Sequence, residues 1–213
     1  MSTAGNGLVL EEVAIRRGPE TLMALSATIA PGETLSVMGP SGSGKSTLLA
    51  FVAGFLPPPF SASGRILLDG TDLTTMPASR RRMGLLFQDP LLFPHMTAGG
   101  NVRFAVPPDT PRGSRADLVR AALYAVGLAG FEGRDPATLS GGEQARVAIA
   151  RVLAGRPRAL LLDEPFSKLD AAMKAQIRAL VFATAAERRL PVLLVTHDPA
   201  DADAAGGRVV RIG

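Results

Sequence analysis

The sequence has no cysteine, which excludes disulfides and thiolate metal sites and suits a reducing compartment. Lysine is scarce: Lys45, Lys168 and Lys174 are the only three among 23 basic residues. Histidine occurs twice, as His95 and His197. Long apolar runs are missing as well. The run at residues 48–56 stops at Pro57 and that at 159–162 stops at Asp163, both far short of the ~20 residues of a membrane span. Residues 1–7 lack a basic start followed by an apolar stretch, so no signal peptide is expected. Any work at a membrane is expected to pass through another polypeptide. No internal repeat is visible, and the only biased stretch is Pro57-Pro58-Pro59.

What remains is ordinary globular material of 213 residues, 46% hydrophobic and 20% charged, enough for one domain with a subdomain. The net charge of +4 is spread along the chain, apart from Arg80-Arg81-Arg82. It reads as solvated surface, and no nucleic-acid partner is expected. Strands are predicted at 8–15 and 21–29 around a turn at Gly18-Pro19, then at 34–38, 65–68 and 83–87. A buried helix is predicted at 46–55, and helices with loops from 97 to 130, broken at 107–114. The last third alternates: helix 143–153, strand 159–162, helix 171–188, strand 192–196, strand 208–212. Continuous apolar strands between helices indicate an α/β fold with a parallel sheet.

Three stretches carry chemistry. Gly39-Pro40-Ser41-Gly42-Ser43-Gly44-Lys45-Ser46, followed by Thr47, lies between a predicted strand and a predicted helix, the context a phosphate-binding loop requires. Its glycines let successive N–H groups point inward, and the helix start adds partial positive charge. Lys45 is expected to reach the β and γ phosphates of ATP, and Ser46 to ligate Mg²⁺. A chain that otherwise favours arginine keeps lysine where a slim point charge must enter. The second stretch is an apolar strand ending in Asp163-Glu164-Pro165. Asp163 suits the Mg²⁺ shell and Glu164 suits a general base that activates water. The third is Leu139-Ser140-Gly141-Gly142-Glu143 at a helix start. Local rules favour a plain capped helix here, with Ser140 as the cap.

Taken together, the three stretches resemble the nucleotide-binding subunit of ATP-binding cassette (ABC) transporters, over essentially the whole length. Gln88 in Phe87-Gln88-Asp89-Pro90 matches the family's Q-loop and residues 139–143 its signature motif. Residues 167–170 match the D-loop, and His197 the switch histidine. The resemblance implies a P-loop NTPase core with a mostly parallel sheet, a small antiparallel β subdomain and an inserted helical subdomain. It places the core at roughly 1–88 and 156–213 and the helical part at 89–155, all within one ATPase domain.

It further implies a head-to-tail dimer in which Ser140, Gly141, Gly142, Glu143 and Asp170 meet the ATP held by the partner's P-loop. Gln88 would sense Mg²⁺ and relay the state of the site, and His197 would hold the γ-phosphate and the attacking water. Residues 92–97 look like the stretch after the Q-loop in bacterial importers, which puts a membrane permease against the region from Gln88 to Asn101. A separate substrate-binding protein and a peripheral position on the cytoplasmic face of the inner membrane follow from the same likeness. Within the family the chain resembles the short importer ATPases of the thiamine, ferric-iron and polyamine group, the YnjD type included. A C-terminal regulatory domain is not expected.

The chain departs from the family pattern at three places. Arg16-Arg17 stands where an aromatic usually stacks on adenine. Lys168 replaces a small D-loop residue, and Gly100 replaces a glutamate before Asn101. Two other functions compete. A non-transport ABC ATPase of ribosomes or DNA generally has two cassettes or a long heptad insertion, and neither is present. A small-molecule P-loop kinase leaves residues 139–143, Gln88 and His197 unexplained.

Overall fold

The computed structural model describes residues 7–212. Residues 1–6, on which the expectation of no signal peptide mostly rests, lie outside them. In chain order the structure runs β1 (Leu8–Arg17), β2 (Glu20–Ile29), β3 (Thr34–Met38), α1 (Lys45–Ala53), β4 (Phe60–Leu68), β5 (Thr71–Asp72), α2 (Ala78–Arg81) and β6 (Met83–Leu86). It continues with α3 (Ala98–Ala105), α4 (Arg115–Ala125), α5 (Gly141–Ala154), β7 (Ala159–Asp163), α6 (Ala171–Glu187), β8 (Val192–Val195), α7 (Pro199–Ala205) and β9 (Arg208–Arg211). Two compact units divide it. The first holds the described residues up to Leu85, Arg158–Asp163 and those from Thr184 on; the second holds Leu86–Pro157 and Glu164–Ala183.

The first unit is built on two sheets. One is antiparallel, in the order β2-β1-β4-β5; the other has the order β6-β7-β8-β3-β9. In the latter, β7 with β8, β8 with β3 and β3 with β9 pair parallel. Every residue of β3, β7 and β8 is buried, as expected of apolar strands without a solvent face. Leu35, Val37, Leu48, Leu49, Val52, Leu161, Leu193 and Val195 join one core with Leu8, Leu10, Ile15, Ile66 and Leu68 of the antiparallel sheet. Each such side chain contributes roughly 1.5–3 kcal/mol on burial.

The antiparallel sheet contains a bulge that the sequence does not announce. The β1 register shifts between Leu10 and Val13, and Glu12 takes a left-handed φ of 49°. Across from it, a Cβ on Gly64 would lie 2.6 Å from the carbonyls of Glu11 and Glu12. Glycine at 64 is thus what allows the two strands to approach there.

The second unit is helical. Thr97 caps α3 by accepting from Gly100 N, and Asn101, fully buried, organises the turn before it. Its Oδ1 accepts from Phe93 N at 2.8 Å, and its Nδ2 donates to the carbonyls of Phe93, Met96 and Thr97. A side chain at 100 would put its Cβ 3.2 Å from Met96 Cβ. That crowding is a local reason for Gly100.

Several features differ from expectation. The fourth strand begins at Phe60, five residues before the predicted Arg65, because it pairs along β1 as far as Arg17. The short elements β5 and α2 and the helix α7 were not foreseen. The arginine run is also not uniformly solvated surface, since Arg81 is 3% exposed. Its guanidinium donates to the carbonyls of Phe51 and Val52 in the last turn of α1, and to those of Thr74 and Met76. Burial pulls its pKa below the usual arginine value. A cation placed on a helix C-terminus complements the helix dipole.

Candidate active site

Strand register brings the predicted residues of the first unit to one edge. Val37 of β3 pairs with Val195 of β8, and Val195 pairs with Asp163 of β7. The chain therefore leaves β3 toward Gly39, ends β7 at Asp163 and leaves β8 toward His197 at a common level. In an open α/β sheet this carboxyl edge is where ligands bind.

Helix α1 starts at Gly44, whose φ of 87° is left-handed, and no side chain caps it. Its first N–H groups are thereby kept from side-chain acceptors. Lys45, 7% exposed, turns its ammonium onto its own loop. It donates to Gly39 O at 2.9 Å, Pro40 O at 2.6 Å and Ser43 Oγ at 3.4 Å. These neutral acceptors are weaker partners for an ammonium than a phosphate oxygen is. Ser46 Oγ donates to Asp163 Oδ1 at 3.0 Å. A hydroxyl and a carboxylate that close are hard oxygen donors of the kind Mg²⁺ takes. Ser41 and Gly42 are exposed at the loop tip, and Thr47 is half-buried.

Glu164 directly follows Asp163 with a left-handed φ of 46°, uncommon for a residue with a side chain. The strand alternation breaks there, and its carbonyl accepts from both Ser167 N and Ser167 Oγ. His197 is exposed on a loop held from both sides. Thr196 Oγ1 donates to the buried Asp201 and accepts from Asp198 N, while Asp198 caps α7 through Ala200 N. Thr196, Asp198 and Asp201 are residues the sequence reading missed. An Asp-Pro at a helix start was the available signal.

The second unit holds Gln88, Ser140, Gly141, Gly142, Glu143, Glu164 and Asp170. Gln88 is exposed after β6. Arg151 of α5, also missed, supports that loop by donating to Pro90 O and Leu91 O, with its guanidinium over the Phe93 ring. Burial lowers the Arg151 pKa. At the start of α5 a complete capping box forms. Ser140 Oγ accepts from Glu143 N at 3.3 Å, and Glu143 Oε2 accepts from Ser140 N and Oγ, both at 2.8 Å. The bond from Ser140 N, followed by that from its hydroxyl, holds the Glu143 carboxyl below its ordinary range. Gln144 adds donors to Pro136 O and Leu139 O. Asp170 Oδ1 accepts from Met173 N at the start of α6.

Arg16 and Arg17 end β1 exposed, and no aromatic neighbours them in sequence. Pairing supplies one: Phe60 of β4 stands directly across from Arg17. Phe60 is thus a cross-strand neighbour of Arg17, 43 positions away in the chain. The hydrophobic side of Leu22 and Met23 also lies within 3.2–3.6 Å of where a Gly44 Cβ would be.

The sequence model of the ABC transporter family matches residues 22–167. The chain is 47% identical over 207 residues to the thiamine import ATP-binding protein ThiQ of Cereibacter sphaeroides, covering 96% of this chain and 87% of that protein. It is 41% identical over 198 residues to the ABC transporter ATP-binding protein YnjD of Escherichia coli, covering 92% and 91%. Among solved structures it is similar to a dimeric, post-hydrolysis state of an ATP-binding cassette bound to ADP and Pi. That likeness has a TM-score of 0.83 at 31% identity, over 96% of this chain and 94% of the other.

Proposed function

The chain belongs to the ABC transporter family, and on that premise we propose that it hydrolyses ATP to energise substrate import through a membrane permease. The observation that carries the reading is the Ser46–Asp163 contact beside the Lys45 loop. It joins a phosphate cradle to a carboxylate brought from 117 positions away.

In this reading the N–H groups of the loop from Gly39 to Thr47 and the start of α1 bind the phosphates, and Lys45 exchanges its loop carbonyls for β and γ oxygens. Ser46 and Asp163, with Gln88, hold Mg²⁺, which when bound neutralises phosphate charge. Glu164 accepts a proton from the attacking water. His197 donates to the γ-phosphate, its loop steadied by Thr196 and Asp201.

The site is completed by a second copy of the chain. Gly141 and Gly142 present N–H groups to the partner's ATP, with Ser140, Glu143 and Asp170 beside them. The permease docks against the region from Gln88 to Asn101, and a separate binding protein delivers the substrate. The subunit then sits peripherally on the cytoplasmic face of the membrane. No helix among the described residues is long and apolar enough to cross a membrane.

The test is Glu164→Gln. Mg-ATP binding should persist while turnover falls about 10²–10⁴-fold, or roughly 3–5 kcal/mol of barrier. Trapped ATP should then hold the dimer together on gel filtration. Turnover near the wild-type rate would remove Glu164 from the mechanism.

A further inference from the structure

Lys168 is the one lysine outside the phosphate loop and α6, and it stands where the family pattern has a small residue. In the structure its Nζ donates to Asp89 Oδ1 at 2.5 Å. Asp89 is the immediate neighbour of Gln88, and Lys168 lies four residues beyond Glu164. One ion pair thus joins the loop carrying the proposed Mg²⁺ sensor to the loop carrying the proposed base.

Both loops are tight near the pair. The segment after Glu164 turns on itself, with Ser167 bound to the Glu164 carbonyl and Leu169 N donating to Phe166 O. Leu169 is buried, while Asp170 caps α6. The segment after Asp89 is held at Pro90 and Leu91 by Arg151. A displacement at either end of the Lys168–Asp89 contact is therefore transmitted along short, constrained backbone. The pair itself is accessible, with side-chain exposures of 40% for Lys168 and 72% for Asp89. It can be broken and remade.

We propose that Lys168 and Asp89 are positioning residues for hydrolysis, a breakable link that keeps the Glu164 and Gln88 loops in register. The inference rests on the assignment of Glu164 and Gln88 given above. Neither residue belongs to the phosphate loop, so the link acts on the rate of the chemical step and not on ATP affinity. An exposed pair can bias a two-position equilibrium by no more than about fivefold, which bounds the effect.

The experiment is a charge cycle on the whole subunit with Mg-ATP as the probe. Lys168→Met and Asp89→Asn should each lower kcat about two- to fivefold with KM for ATP unchanged. The double variant should be no slower than either single one. Lys168→Asp combined with Asp89→Lys should recover most of the rate, as a direct pairing of the two charges requires. Raising salt should slow the wild type toward the rate of Lys168→Met and leave that variant flat.

Single variants at the wild-type rate, losses that multiply in the double variant, or a swapped pair as slow as its parents would overturn the link. So would a hundredfold loss, which would place Lys168 on the reactants. Glu164→Gln assayed in parallel separates the two readings. If it turns over normally, the underlying assignment fails and the link fails with it. If it is inactive while Lys168→Met and Asp89→Asn are unaffected, only the link fails.

Discussion

Helices α1 and α5 both start beside glycines, yet their first turns are built in opposite ways. At α1 no N-cap side chain accepts from the first N–H groups, and the nearby lysine is folded onto its own loop. At α5 the Ser140–Glu143 box already uses the N–H groups of both residues, leaving those of Gly141 and Gly142. Stabilisation is placed differently too. The end of α1 is held by the buried Arg81, whereas α5 is held at its beginning. On the proposed reading, the helix whose start grips an anion is the one secured from its other end. A helix whose start is capped can offer only the donors that the cap leaves.

The largest expected effect that would sharpen this contrast is Lys45→Ala, which should cut turnover about 10²–10⁴-fold. A steady-state assay showing less than a tenfold loss would mean the ammonium stays on its loop carbonyls during the reaction. Next comes Arg81→Met, which strands four carbonyls and removes the cation at the end of α1. Urea denaturation should show a loss of about 3 kcal/mol. A loss below about 1 kcal/mol would break the claim that α1 is secured there.

Gly141→Ala is a smaller and more diagnostic change. A Cβ at 141 meets nothing within 4 Å in this chain, so the melting temperature should hold or rise slightly. Turnover should nevertheless fall about tenfold if a second subunit brings phosphate close. Normal turnover would make the start of α5 a capped helix and nothing more.

The smallest effect concerns the box itself. Glu143 has its pKa lowered by the bonds from Ser140, so its contribution is present above the ordinary carboxylate value of 4.5. That contribution should fade as pH falls through the lower folded value. Glu143→Gln should therefore flatten the acid side of the stability profile below pH 4.5. An unchanged profile would show that the carboxylate charge is idle.

The two helix starts were not equally legible in the sequence. The α1 loop announces itself through glycine spacing and a rare lysine, and the all-apolar β7 announces Asp163 at its end. At α5 the cap was readable, but no local rule says whether the remaining glycine N–H groups meet a ligand. Arg81 could not be distinguished from Arg80 and Arg82, because its partners are carbonyls that only folding brings together. Phe60 opposite Arg17 was hidden for the same reason: β4 was predicted to begin at Arg65, and cross-strand register is not written in either segment alone. Strand alternation failed at Glu12, where the bulge inserts a left-handed residue into an otherwise regular run.

The claim that the α1 start of one subunit works with the α5 start of another is tested most directly by mixing two inactive proteins. Lys45→Ala lacks its own cradle and keeps Gly141; Gly141→Asp keeps its cradle and presents a negative charge to its partner's phosphate. Each alone should hydrolyse ATP poorly. In a mixed dimer one site carries both faults and the other carries neither, so turnover and ATP-driven association should return on mixing. No recovery in either quantity at any ratio, or normal hydrolysis by Gly141→Asp alone, would contradict the composite site.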